Sequence, residues 1–402
     1  MEIRIYRGTH QIGGCVTEIT SGSTRIFIDF GSELPGSDGE QKEETLSVPG
    51  VTEGEPRCDG IFFTHTHGDH IGQIDRILPG IPLWLGGTAK ELCLLLNRHL
   101  QSRGIDRQKT IDALERANTF TMGRPVPVND LTVTPLFVDH SAFDAYMFLI
   151  EGEGKRMLHT GDFRGHGFRG KGLLPTLEKY ARDVDWIICE GTMLSRNCET
   201  VKTEHELQKD ERALMEKYRR VFVVCSSMNI DRIAGFCKAA PTGRPIICDD
   251  YQKSILDVVQ KRHRKYTDLY DFSSVIPYDW DNTKLIQWMQ DQGFLCFIRP
   301  NHFAEGMLKR YGDGAVIAYS QWEGYLRGPT ENKRLTKLLE GRISEPLHTS
   351  GHATAETLRE VFNTVKPACG VIPIHSEQPE KFQEILPDAN VQLLTDGLSK
   401  TL

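Results

Sequence analysis

The chain has 402 residues, 39% of them hydrophobic and 26% charged, which suits globular cores and excludes a disordered polymer. Its formal net charge of −7 excludes the broadly basic surface common among nucleic-acid binders, so any polyanion site has to be local or metal-supported. Two domains are expected from the length.

The opening MEIRIYRGTH has no apolar run of the secretory kind, and no stretch approaches the length of a membrane span. Ten cysteines without a CxxC pair read as reduced thiols of a cytoplasmic protein rather than as a disulfide framework.

In chain order, Glu2–Tyr6 alternates as a strand, and Arg25–Asp29 is a β-branched run ending on an aspartate. Gly36–Thr45 is polar and predicts a mobile loop or a flap over the site. Gly60–Phe63 is a third strand and runs straight into Thr64-His-Thr-His-Gly-Asp-His70. Two helices are expected between Thr88 and Asn118, then strands at Leu131–Val138, Tyr146–Ile150 and Met157–His159.

Thr203-x-x-Glu206 is a capping box that opens a helix through Arg219. Val221–Ser226 is a continuous apolar run, as in a buried parallel strand. Helices at Asn229–Ala239, Gln252–Tyr266 and Thr283–Gln292 then alternate with strands at Pro245–Asp249, Phe294–Arg299 and Ala315–Ser320. Alternation of this kind builds a parallel sheet covered by helices, so residues 196–346 are expected to form an α/β unit of their own. After Leu347 the polar, histidine-bearing texture of the first part resumes.

The chemistry concentrates in the loop after Gly60–Phe63. In extended chain, alternate side chains point the same way, so His65 and His67 can share one metal. Asp69 and His70 fall where the chain turns into a helix and can face a neighbouring metal. Imidazole and carboxylate suit zinc and similar divalent ions. One loop cannot complete two metal sites. His140, after Leu131–Val138, is a natural third ligand for the first metal, and Asp162, after Met157–His159, can bridge both. Each lies at a strand end, where layered α/β folds place their sites.

This order of His65, His67, Asp69, His70, His140 and Asp162 resembles the metallo-β-lactamase superfamily. Asp29 looks like that family's aspartate that orients the metal ligands. Glu190 in WIICEGT, His352 in HTSGHA and His375 in VIPIHSE are similar to the motifs of its β-CASP branch, and Ser226–Arg232 (SSMNIDR) to a piece of that branch's insert. The ribonuclease J-like nucleases are the group it most resembles.

The resemblance implies an αββα sandwich formed by residues 1–195 and 347–402, with a β-CASP α/β insert at 196–346. It implies one zinc held by His65, His67, His140 and Asp162, and a second held by Asp69, His70, Asp162 and His375, with manganese as the other candidate metal. A hydroxide activated by the two metals would attack a phosphodiester of RNA or, less favoured, DNA. His352 would stand beside the scissile phosphate with Glu190 near it, so that Asp69, His352 and Glu190 count as catalytic. His348, Ser350, Gly351 and His352 would grip a phosphate.

His375, ending the apolar strand Gly370–Ile374, is expected to bind metal. His352, in a glycine-flanked turn, is not. A lactonase or thioesterase on the same fold is the alternative, although the large insert argues against it. Lys261–Tyr266 reads as a solvated basic face, and Trp322 and Tyr325 as packing at the insert's edge.

Overall fold

A computed structural model describes residues 1–34, 46–196 and 201–402. The expected loop at 36–45 and the start of the insert, including Cys198, lie outside the described residues. Among the described residues the strands form three sheets, of seven, six and six strands.

The first sheet runs in the order Ser399–Thr401, Glu2–Arg7, Val16–Ser21, Thr24–Ile28, Gly60–Phe62, Leu83–Gly86, Asn118–Phe120. The second runs Gly370–Ile374, Trp186–Glu190, Lys155–His159, Ala145–Gly152, Leu131–Val138, Val126–Val128. Their inner faces share one core, in which Ile5, Ile19 and Ile26 meet Val133, Phe148 and Ile188. Helices Gly87–Ser102 and Gln108–Arg116 cover the outer face of the first sheet through Ala89, Cys93 and Leu114. Helices Leu173–Tyr180 and Ala355–Val365 cover the second through Leu177, Leu358 and Val361. The result is an αββα sandwich, the metallo-β-lactamase fold, with the segment after residue 346 returning to complete its second sheet beside Trp186–Glu190.

The third sheet is built from strands between Arg220 and Pro346, all parallel, in the order Val275–Pro277, Ile246–Cys248, Phe294–Ile298, Arg220–Val224, Val316–Tyr319, Ser344–Pro346. Its inner strands are almost wholly apolar because helices bury both faces, whereas the edge strand Ser344–Pro346 is polar and largely exposed. Glu204–Lys217, Ile230–Ala239 and Asp250–His263 pack on one side, and Thr283–Gln292, His302–Tyr311 and Lys333–Leu339 on the other. The capping box at Thr203 and Glu206 forms as read from the sequence.

Sequence periodicity missed His302–Tyr311, whose HFAEGMLKRY is interrupted by Gly306; its start is set by the Asn301 side chain, which accepts from the Ala304 amide. Val16–Ser21 was also missed, being short and dense in polar residues. It is defined by antiparallel partners on both sides.

Candidate metal centre between the sandwich and the third sheet

Six parallel-running strands end at one edge of the sandwich and deliver the donors. Asp29 follows Thr24–Ile28, His65 follows Gly60–Phe62, and His140 follows Leu131–Val138. Asp162 follows Lys155–His159, Glu190 closes its own strand, and His375 follows Gly370–Ile374. Asp29 and His375 hold the left-handed backbone conformation, at φ 62° and 49°, which is costly for residues other than glycine.

Three imidazoles converge first. His67 Nδ1 lies 3.1 Å from His65 Nε2 and 3.1 Å from His140 Nε2. The other ring nitrogen of each partner is already held. His65 Nδ1 is 2.9 Å from the Thr64 hydroxyl, and His140 Nδ1 is 2.6 Å from the Gly351 carbonyl, which can only accept. Thr64 donates its own proton to Asp29 Oδ2, so its oxygen accepts from His65. The inward nitrogens of His65 and His140 therefore both turn lone pairs toward His67 Nδ1, which can donate to at most one of them.

Lone pairs about 3 Å apart repel unless a cation sits between them, and nitrogens bound at 2.0–2.1 Å to a shared ion stand roughly that far apart. Burial and the neighbouring rings hold His65 and His140 well below the ordinary imidazole pKa, and burial brings His67 down to about 4. All three are neutral donors at pH 7.

A second set surrounds Asp162. Its Oδ2 is 3.1 Å from His70 Nε2, and its Oδ1 is 3.6 Å from His375 Nδ1. His375 Nε2 lies 3.2 Å from Asp69 Oδ2. Asp29 takes the outer proton of His70 at 2.7 Å while also accepting from the Thr64 amide. The Thr192 hydroxyl, 2.7 Å from His375 Nδ1, orients that ring.

Both oxygens of Asp162, and Nε2 of His70, are buried without a hydrogen-bond partner among the described residues. Burial disfavours charge on His70, but Asp162, Cys15, Asp29 and Asp69 outweigh it and raise its pKa well above the usual value. Such an unsatisfied, charged cluster fits divalent metal ions. Donor groups close enough to share an ion include His65, His67 and His140; His65, His70 and Asp162; Cys15, His70 and His375; and Asp162, Glu190, His352 and His375.

His352 stands at the open side of this cluster. Its Nδ1 is 3.3 Å from Glu190 Oε1 and 3.7 Å from Asp162 Oδ2. Burial opposes its charge, but Glu190 and Asp162 prevail and raise its pKa. Glu190 is fully buried and accepts from the backbone amides of Phe163, Thr192 and Ala353.

The other residues expected to hold phosphate divide. Ser350 is already engaged: its hydroxyl accepts from the His352 amide, and its carbonyl from His166. Gly351 lies so close to Ser141 and His140 that a Cβ would come within 2.4 Å of Ser141 Oγ. His348 is exposed, yet crowding by protein, with Arg232 next, lowers its pKa to about 3.

Behind the donors lies a buried charge cluster that the sequence did not announce. Arg164 donates to Asp139 at 2.8 Å and to Glu204 at 2.8 Å, and reaches Asp231 at 3.5 Å. Arg232 grips Glu204 with two further bonds, of 3.0 and 2.9 Å. The cluster joins the loops bearing His140 and Asp162 to the first helices of the third-sheet unit. Thr64, Thr192 and Cys15 were missed as well. Only Thr64, beside the histidine loop, had a sequence signal.

Residues 24–205 match the family model of the Beta-lactamase superfamily domain, so this chain carries such a domain. Over most of its length it is similar to Ribonuclease J. It is 21% identical to that of Helicobacter pylori J99 over 97% of this chain, and 22% identical to that of Mycoplasma pneumoniae M129 over 94%. The chain spans 59% of the Helicobacter protein and 68% of the Mycoplasma one. A crystal structure of a protein of unknown function from Enterococcus faecalis V583 shares the fold, with TM-score 0.74 and 19% identity, covering 100% of this chain and 99% of that one. No helix among the described residues is long and apolar enough to cross a membrane.

Proposed function

We propose that the protein is a two-metal phosphodiester hydrolase of the β-CASP type, a cytoplasmic nuclease acting on RNA. The observation that carries this reading is the convergence of buried imidazoles and carboxylates on Asp162, whose oxygens make no hydrogen bond among the described residues, with the His352–Glu190 pair beside it. In this reading His65, His67, His140 and Asp162 hold one ion, and Asp69, His70, Asp162 and His375 the other, zinc being the favoured metal. Two such ions supply an activated water and stabilise charge developing on phosphorus.

The chain's own residues do the rest. Asp29, Thr64, Thr192 and the Gly351 carbonyl fix ring tautomers, so that the donor nitrogens stay aimed before any ion arrives. Glu190 and Asp162 favour the imidazolium form of His352, which can hand a proton to the leaving ribose oxygen. His348 faces the cleft where a neighbouring phosphate would lie. Residues 196–346 act as a β-CASP-type domain forming the second wall, a cover that a small lactone or thioester would not need.

The similarity to Ribonuclease J supports RNA as the substrate. Digestion of 5′-labelled RNA and DNA side by side, together with a lactone and a thioester, tests the proposal. RNA cleavage with about two metal ions per chain is expected. Turnover of the ester substrates with both polymers untouched would refute it.

A further inference from the structure

We infer that Arg196, Trp322 and Tyr325 form a nucleotide subsite beside the metal donors, Tyr325 stacking a base and Arg196 taking the adjoining phosphate. The inference rests on the nuclease reading and adds to it a place where one nucleotide of the strand is held.

Arg196 follows the short helix Thr192–Ser195, whose first residue orients His375. It belongs to the metal side of the cleft. Trp322 and Tyr325 come from the other side, just after the third-sheet strand Val316–Tyr319. The Arg196 guanidinium carbon sits 5.0 Å from the centroid of the Trp322 ring, and the Trp322 and Tyr325 rings meet edge to face at 5.6 Å. The three side chains thus span the gap between the two walls.

The platform is held in place. The Tyr319 hydroxyl donates to the Trp322 carbonyl at 2.9 Å, the Asn332 amide to the Tyr325 carbonyl at 2.9 Å, and the Thr330 hydroxyl to the Gly324 carbonyl at 2.7 Å. A Cβ on Gly324 would stand 2.3 Å from the indole, so the ring folds back only over glycine.

What the trio offers is unused. Tyr325 is 43% exposed despite its rigid mounting, and its hydroxyl has no hydrogen-bond partner among the described residues. Arg196 has no carboxylate partner among the described residues; its one side-chain contact besides the indole is the Met193 sulfur at 4.0 Å.

An open aromatic face beside an unneutralised guanidinium matches the two parts of a nucleotide, a flat base and a phosphate. In a chain with net charge −7 such a cation is a local feature. It is the kind of polyanion contact that the overall composition requires to be local.

The test is equilibrium binding of the full chain to a short single-stranded RNA with hydrolysis-resistant linkages. A matching set carries one abasic nucleotide at successive positions. Tyr325→Ala is expected to weaken binding by roughly 5- to 100-fold, the range for losing one stacked base. It should also abolish the abasic penalty at one position, whereas Tyr325→Phe keeps both affinity and penalty. Arg196→Gln is expected to lower the slope of log affinity against log salt by about one phosphate contact. If the parent protein binds RNA while Tyr325→Ala leaves affinity and every abasic penalty unchanged, the subsite is refuted and the nuclease reading stands. If the parent binds no RNA at all, both fall.

Discussion

The edge of the sandwich and the third-sheet unit obey opposite rules. In the third-sheet unit local chemistry and fold agree. Its helices open on Thr203, Asn229, Asp249, Asn282, Asn301 and Asn332, and each side chain accepts from a backbone amide of the first turn. At the metal edge that agreement is broken. The helix Gly68–Ile71 opens on His67, which supplies no cap because its ring points into the donor cluster. Asp29 and His375 hold strained backbone, and the buried oxygens of Asp162 make no hydrogen bond among the described residues. The site is locally unfavourable in ways that bound metal would relieve, and the favourable packing elsewhere offsets it.

The largest effects should fall where the two regions differ most. Asp162→Asn is expected to lose metal and activity together, by several orders of magnitude, while the apo protein remains folded; elemental analysis and thermal melting check this. His375→Ala should lose or weaken one ion. His352→Ala should keep both and still lose about 10²–10⁴ in single-turnover rate, as for a missing general acid. A metal lost from His352→Ala would erase the distinction drawn between these two histidines.

Next comes the cluster joining the regions. Glu204→Gln strips Arg164 and Arg232 of a shared buried partner, at a cost of about 3–5 kcal/mol. Despite burial, Arg232 and Arg164 hold the Glu204 pKa at about 2, below the ordinary glutamate value of about 4.5. A depressed carboxylate stabilises the fold above its unfolded pKa, so this contribution is present above about pH 4.5 and drains away as pH falls toward 2. Urea titrations between these limits should show an acid slope that Glu204→Gln reduces. An unchanged slope would mean the cluster is not what acid breaks.

Glu211 should show the opposite sign. Both its oxygens are buried without a hydrogen-bond partner among the described residues, and burial raises its pKa well above 4.5. The folded chain then holds a proton that the unfolded chain releases, so stability falls as pH rises above about 4.5. Relative to the parent, Glu211→Gln should therefore be more stabilising at pH 8 than at pH 4, by less than Glu204→Gln loses. The same difference between variant and parent at the two pH values would count against a protonated Glu211.

The smallest effect belongs to an ordinary cap. Asn301→Ala should cost about 1 kcal/mol in denaturant unfolding and leave metal content untouched.

By itself the sequence determined what depends on neighbours along the chain. The spacing of His65, His67, Asp69 and His70 is legible because a strand followed by a turn aims those side chains with no distant help. The apolar runs Val221–Ser226 and Phe294–Arg299 announced a covered parallel sheet because burial on both faces leaves no polar alternation. The capping box at Thr203 was readable for the same local reason.

Tertiary structure alone decided which nitrogen of His70, His375 and His140 faces inward. That depends on Asp29, Thr192 and the Gly351 carbonyl, brought from 41, 183 and 211 residues away. It also brought Cys15 to His70 and His375, buried Arg164 among three carboxylates, and left the Tyr325 ring open beside Trp322. Such contacts are made between strand ends and loops whose meeting is fixed by sheet order. No local pattern encodes sheet order, because it is settled only when the cores on either side of the strands have packed.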